Sequence, residues 1–167
     1  PGKVYVTDRF DSRTESVLRN GGSVLLLAYG KVRQNKGAGV AIGFSSIFWN
    51  TAWTGKQAPH TLGILCDPHH PALADFPAQG HSNWQWWDAM SHAQAIDIEG
   101  LGVGLEPIVR IIDDWFTNRD LGLIFEARAG RGRLIVTGID LLTDADARPE
   151  ARQLLHSLKR YAAGPAF

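Results

Sequence analysis

The chain has 167 residues, of which 44% are apolar and 20% are charged, a composition typical of one folded domain rather than a disordered chain. Lys and Arg together equal Asp and Glu at 17 each, so no net basic field attracts nucleic acid or an anionic membrane surface. The single cysteine excludes an internal disulfide framework, and no apolar run approaches the roughly 20 residues that span a bilayer.

The first half of the sequence predicts a strand, a helix and a second strand. A short β-branched strand covers residues 3–7, and Asp8 or Asp11 caps a helix that continues through Asn20. The glycine-bounded apolar run at 23–29 is typical of a strand buried on both faces of a parallel sheet. A surface loop then leads to an extended segment at 44–53, where aromatic residues alternate roughly with polar ones.

The second half predicts further strands, a closing hairpin and a last helix. Ser82 or Asn83 is expected to cap the helix after the central loop, and a proline opens the final helix. The predicted elements, in chain order, are a buried strand at 61–66, a turn of helix at 70–73, a helix at 83–92, strands at 95–98 and 107–112, a hairpin of 121–127 with 133–137, and a helix at Pro149–Ala163.

This order predicts one α/β domain over residues 1–167, a three-layer sandwich with a mostly parallel central sheet, a closing hairpin and a C-terminal helix. Ligands of such sheets bind beyond the carboxyl ends of the strands. We therefore expect one edge of the sheet to gather residues 7–8, 29–30, 66–67, 113–114 and 138–140.

The segment at 61–90 is the most distinctive part of the chain, because it holds three tryptophans, three histidines and the only cysteine. Between Thr61 and Val109 there is no Lys or Arg, so a phosphate-bearing ligand would meet no fixed cation there. This segment is the first place to look for a site.

Three stretches of the sequence resemble a known family: HPALADFPAQGHSNWQWWD, PIVRIIDDWFTNRDLGLIFEARAGRGRLIVTGIDL and ARQLLHSLKRYA. They are similar to the glutamine-amidotransferase-like, flavodoxin-like domains at the C-terminus of family 2 glycoside hydrolases of the β-galactosidase type. The resemblance covers residues 4 to 161 and implies a class I amidotransferase-like fold.

The family's catalytic carboxylates lie in a separate TIM barrel, which needs about 200 residues or more and does not fit in this chain. The resemblance therefore implies a non-catalytic C-terminal fragment of a larger protein, an expectation that the abrupt start PGKVYVTD also favours. Its partners would be the catalytic and sugar-binding domains of a parent hydrolase that is periplasmic or secreted.

Cys66 is a weak candidate for a nucleophile. An amidotransferase cysteine needs a glycine-flanked elbow, whereas Cys66 stands in Leu65-Cys66-Asp67-Pro68, where Asp67 opposes thiolate formation. His69 and His70 are near in sequence, but we favour a buried thiol at the end of a strand. His70 is expected to fix the loop by a hydrogen bond to the backbone.

We predict neither a metal nor another cofactor. Asp67, His69, His70 and His81 are residue types that bind zinc, but adjacent histidines rarely share one ion, and no helical pair of histidines supports them. Gly37, Ala38 and Gly39 do not complete a phosphate-binding loop.

Asp113 and Asp114 are weak catalytic candidates of the glycosidase type, with Glu126 as a further carboxylate. Adjacent residues of a strand point to opposite faces, so the two aspartates share a site only where the chain turns. We favour a cap at the end of the strand and an ion pair with Arg110 or Arg119.

The tryptophans predict a contact surface or a sugar site. If 83–92 is helical, Trp84 and Trp87 share one face and Trp86 points elsewhere. We favour Trp84 and Trp87 packed under the helix or against a neighbouring domain, with their indole N–H groups bonded. An exposed Trp86 or Trp115, with Trp49 and Trp53, would then mark a contact surface.

The sequence leaves three functions open. The first is a non-catalytic accessory domain that packs on the parent hydrolase or forms a homo-oligomer. The second is a carbohydrate-binding module that uses Trp84, Trp86 and Trp87, and the third is a small hydrolase that uses Cys66 or the Asp113 and Asp114 region.

Overall fold

The computed structural model describes residues 2–33, 39–45, 60–102 and 104–167. It contains a strand–helix–strand opening and ends in a helix, as the sequence predicts. The strands are β1 (Val4–Thr7), β2 (Ser23–Leu27), β3 (Ile64–Cys66), β4 (Ile96–Asp97), β5 (Val109–Ile111), β6 (Leu121–Ala129) and β7 (Gly132–Thr137), and the helices are α1 (Ser12–Arg19), α2 (Trp84–Ser91) and α3 (Pro149–Ala163).

The strands form one mixed sheet in the order β1-β2-β7-β6-β5-β3, and β4 also pairs with β6. Parallel pairing is confined to β1 with β2 and β2 with β7. The hairpin of β6 and β7 is antiparallel, as are the pairs that β6 makes with β4 and β5 and the pair of β5 with β3. The mostly parallel prediction is therefore right for one half of the sheet, and the other half is antiparallel.

Helices cover both faces of this sheet, because its central strands are apolar on both sides. Along β2, Val24 packs with Leu18 of α1 on one face. Leu25 packs on the other face with Leu154 and Leu158 of α3. Successive residues of a strand point to opposite faces of the sheet. A continuous apolar run therefore indicates a strand that is covered on both faces.

The antiparallel half changes which loops lie together. β3 runs against β5, and Cys66 stands opposite Val109, the first residue of β5. Residues 66–67 therefore lie at the edge where β5 begins, whereas Asp113 and Asp114 follow its other end. The expectation that residues 66–67 and 113–114 share one edge is wrong, because it assumed that β3 is parallel to its neighbour.

Local signals in the sequence mark several element ends correctly. Asp11 caps α1 by accepting the Thr14 N–H at 2.9 Å, and α3 has the predicted bounds. Asn83 precedes α2 but its side chain makes no capping bond, and the Ser82 hydroxyl instead accepts the Ile64 N–H at 3.0 Å. Most of the extended segment predicted at 44–53, including Trp49 and Trp53, lies outside the described residues.

Within the part of the chain that the structure describes, none of the helices has the length and apolar character that crossing a bilayer requires.

Candidate functional site

A cleft of about 480 Å³ opens where β3 ends and β5 begins. We call it the acidic cleft. It is lined by Leu65, Cys66, Asp67, His70, Glu106, Pro107, Ile108, Arg110 and Glu126. Antiparallel pairing brings these residues together, since Cys66 stands opposite Val109 and β6 carries Glu126 past the start of β5.

The Cys66 thiol is protonated at neutral pH. Burial, and to a smaller extent the negative charge of Asp67, raise the pKa of Cys66 to about 11. The sulfur lies 3.5 Å from the Gln79 carbonyl oxygen, to which the thiol can donate. A thiol in this state is a poor nucleophile, because the thiolate is the reactive form.

His70 and Glu126 are held in place around Tyr161. The Tyr161 hydroxyl donates to a Glu126 carboxylate oxygen at 2.7 Å, and burial followed by this bond raises the pKa of Tyr161. His70 Nδ1 accepts the Ala72 N–H at 3.2 Å, and its ring packs edge-on against Tyr161 at 5.5 Å. The bond from His70 to the backbone is the one that the sequence predicts.

Asp113 and Asp114 are tied to one arginine. Arg119 donates to both oxygens of Asp113, at 2.8 and 2.9 Å, and to Asp114 at 3.2 Å. Burial would raise the pKa of Asp113, but the bonds from Arg119 outweigh it and hold that pKa below its usual value. Asp114 also accepts the Phe116 and Thr117 N–H groups, so both aspartates hold the turn after β5. Arg110 instead pairs with Asp120.

Helix α2 buries Trp86 and exposes Trp84 and Trp87, which is the reverse of the expectation. Trp86 is fully buried and packs on Phe76 at 5.0 Å, together with Ala89 and Met90, which follow it at helical spacing. The Trp86 indole N–H has no acceptor within the described residues, so the expected partner for a buried indole is missing at this position. Trp86 is a core residue and not an exposed contact.

Trp84 and Trp87 lie on the outer side of α2. They share one face, as predicted, but Trp84 is 79% exposed and Trp87 is 49% exposed. The Phe44 ring stacks on Trp84 at 6.0 Å and meets Trp87 edge-on at 5.1 Å. We call these three residues the aromatic face. The inward packing expected for Trp84 and Trp87 is wrong, because the i, i+3, i+4 set of Trp86 is the one that faces the sheet.

The remaining candidate residues are separate from one another. His81 forms an isolated bridge with Leu65 and is exposed. Trp115 is 65% exposed, on the turn that Asp114 holds, next to the exposed Phe116. Trp115 is therefore exposed, as one of the sequence alternatives expects.

Arg148 is a positioning residue that the sequence analysis missed. Its buried guanidinium donates to both oxygens of Asp88 in α2, at 2.8 Å each, and to the Thr143 carbonyl at 3.1 Å. It therefore joins α2 to the start of α3 and fixes the helix that carries the aromatic face. No signal marks it in the sequence, since an arginine before a proline is ordinary at the start of a helix.

No group of three or more His, Cys, Asp or Glu side chains could hold a metal ion among residues 2–33, 39–45, 60–102 and 104–167. The histidines and Asp67 of the central loop therefore do not form a metal centre together. His69 contributes only a backbone N–H, which donates to Asp67 at 2.9 Å.

Fold and sites together define a mixed α/β domain with an exposed aromatic face and a separate acidic cleft. The chain matches, over residues 5–167, the family model described as Domain of unknown function (DUF8487), and it belongs to that family. No curated protein matches the chain.

Proposed function

We propose that this domain is a non-catalytic accessory module that packs against another domain of its own polypeptide through the aromatic face. The observation that carries the proposal is the exposure of Trp84 and Trp87 beside Phe44. Large aromatic side chains dominate the energetics of protein interfaces, and rigid rings lose little conformational entropy on binding.

The state of the candidate catalytic groups supports a module without chemistry of its own. The Cys66 thiol is protonated and lies within hydrogen-bonding distance of the Gln79 carbonyl oxygen. Asp113 and Asp114 accept hydrogen bonds from Arg119 and from backbone N–H groups. A glycosidase acid needs a raised pKa, whereas the pKa of Asp113 is lowered.

The parent that we propose is a carbohydrate-active enzyme of the β-galactosidase-like family 2 glycoside hydrolases. The resemblance of the three quoted stretches supports this assignment, as does the α/β fold with helices on both faces. We also propose that the fold is a variant of the flavodoxin-like, amidotransferase-like class. The parallel pairing of β1, β2 and β7, with α1 packed against them, supports this proposal.

The test of this function begins with the coding sequence upstream of residue 1. We expect it to encode a barrel and a sugar-binding sandwich. The isolated upstream part should bind this chain, and binding should weaken by at least about tenfold in a Trp84→Ser, Trp87→Ser variant. Trp115→Ser, at an exposed tryptophan outside the aromatic face, is the matched control.

Two results would overturn the proposal. One is binding that the double variant leaves unchanged. The other is rapid alkylation of Cys66 at neutral pH that abolishes an enzymatic activity of the chain, because a thiol with a pKa of about 11 should react slowly there.

A second candidate function is carbohydrate binding at the same aromatic face. The exposed ring faces of Trp84 and Trp87 favour it, since indoles stack on the apolar faces of sugars. Tryptophan fluorescence should then shift when galactosides are added, and the shift should disappear in the double variant. Self-association is a third outcome of the same experiments, visible as a dimer in light scattering that the double variant turns into a monomer.

A further inference from the structure

We propose that the inner side of α2 carries a binding site for one structural water molecule, which bridges the side chains of Asn83 and Trp86. Among the described residues, two buried side-chain atoms have no hydrogen-bond partner, and they are Asn83 Oδ1 and Trp86 Nε1. One is an acceptor and the other a donor, and they belong to residues three apart in the sequence. Water supplies the matching donor and acceptor in a single molecule.

Asn83 departs from the usual behaviour of a residue at the start of a helix. It occupies the N-cap position of α2 with an extended backbone, at φ −135° and ψ −179°. An asparagine in this position ordinarily accepts the backbone N–H of the second or third helical residue through its side chain. The Asn83 side chain makes no such bond, and its oxygen is buried. A buried oxygen that gives up the capping bond requires another donor.

Trp86 is the third residue of α2 and supplies the unpartnered donor. Its ring is fully buried and packs on Phe76, and a buried indole N–H ordinarily has an acceptor. Helical side chains lean towards the N-terminus, so a side chain at the third position lies over the turn that begins at the N-cap residue. The capping box uses the same relation between these two positions. Here the two side chains share one turn without bonding to each other.

The chemistry of the two groups selects water over other ligands. Both groups are neutral, and a cation would be repelled by the indole N–H, whereas an anion would be repelled by the amide oxygen. A larger molecule does not reach Trp86, because that residue has no exposed surface. If the oxygen and nitrogen of the Asn83 amide are exchanged, both buried atoms become donors, and a water oxygen can accept from both.

A water at this position joins the first turn of α2 to the core. Folded proteins hold roughly one buried water per 27 residues, so a chain of 167 residues is expected to contain several. Trp84 and Trp87 lie on the outer side of the same helix and do not contact the site proposed here. The proposal is therefore independent of the function proposed for the aromatic face.

The test is water–protein NOE and ROE spectroscopy of the ¹⁵N-labelled chain, observed at the indole Hε1 protons. We expect Trp86 Hε1 to show cross-peaks at the water frequency with NOE and ROE of opposite sign, which marks a water that stays bound longer than surface water does. The indole of Trp84, which is 79% exposed, is the internal control and should show only the weak effects of surface water.

Two variants of Asn83 test the acceptor. Asn83→Leu, which keeps the size of the side chain and removes its polar atoms, should abolish the Trp86 cross-peaks. Asn83→Asp, which keeps an oxygen, should retain them. Gln85→Leu is the matched control, because it removes an amide from the same turn of α2 that is not among the unpartnered buried groups. If Asn83→Leu fails to fold, the unmodified chain and Asn83→Asp still decide the question.

Three results would overturn the proposal. The first is the lack of a water cross-peak at Trp86 Hε1, which would indicate a direct bond to a protein acceptor. The second is NOE and ROE of the same sign, which would indicate exchange with bulk solvent. The third is a cross-peak that survives in Asn83→Leu, which would show that Asn83 does not hold the water. None of these results depends on a partner of the aromatic face, so failure here and failure of the proposed function are distinguishable.

Discussion

Acidic residues at the two edges of the sheet differ in burial and in ion pairing. After β5, Asp113 and Asp114 are buried and share the guanidinium of Arg119. At the other edge, Glu106 and Glu126 line an open cleft and have no cationic partner among the described residues. Removing the cation from a buried pair is costly, whereas a carboxylate left open to solvent contributes little to stability. The difference separates carboxylates on which the fold depends from carboxylates on which it does not, in a chain whose sequence marks both alike.

The largest expected effect comes from removing the arginine of the paired edge. Arg119→Ala should lower the free energy of unfolding by about 4 kcal/mol, because it leaves two buried carboxylates without their cation. Urea denaturation followed by circular dichroism measures it. Arg110→Ala is the control, since its pair with Asp120 is partly exposed and worth less than about 1 kcal/mol. Equal losses for both variants would contradict the comparison.

The ion pair under α2 should show a smaller effect of the same kind. Arg148→Ala should cost about 2 kcal/mol, less than Arg119→Ala because Asp88 is partly exposed and also lies beside His92. The same denaturation experiment reports the loss. Since Arg148 holds α2, the variant should also change the fluorescence of Trp84 and Trp87, which Arg119→Ala should leave alone.

The paired edge should also make stability depend on pH. The pKa values of Asp113 and Asp140 are lowered, against the opposing effect of burial, by hydrogen bonds from Arg119 and from the Thr143 and Leu142 N–H groups respectively. An aspartate with a lowered pKa contributes stability that is fully present above its unfolded pKa of about 3.9 and is lost as the pH falls through its folded pKa.

The urea midpoint should therefore be flat from neutral pH down to about pH 5 and should then fall steeply below about pH 4. Asp113→Asn, which removes one of the aspartates with a lowered pKa, should flatten this acid limb. An acid limb of unchanged slope in the variant would show that other carboxylates carry the pH dependence.

The smallest effect is expected in the acidic cleft. Glu106→Gln should change the free energy of unfolding by less than about 0.5 kcal/mol, because the side chain is exposed to solvent. A loss comparable to that of Arg148→Ala would mean that Glu106 is a structural residue and would contradict the comparison.

The sequence by itself determined the elements and their local ends. The apolar run of β2, the Asp11 cap and the proline at the start of α3 act within a few residues, so they can be read without knowing the fold. The hairpin of β6 and β7 is local in the same sense, since only Gly130 and Arg131 join its two strands and Gly130 has a positive φ of 63°.

Only the tertiary structure decided which residues meet. The direction of β3 depends on its pairing with β5, more than forty residues away along the chain, and that pairing placed Cys66 beside Glu126 and far from the edge of Asp113. The face that α2 buries was equally undecided, because Trp84, Trp86 and Trp87 are all apolar enough to face the sheet. Packing against Phe76 selected Trp86 and left the other two in solvent, since one helix buries only one side.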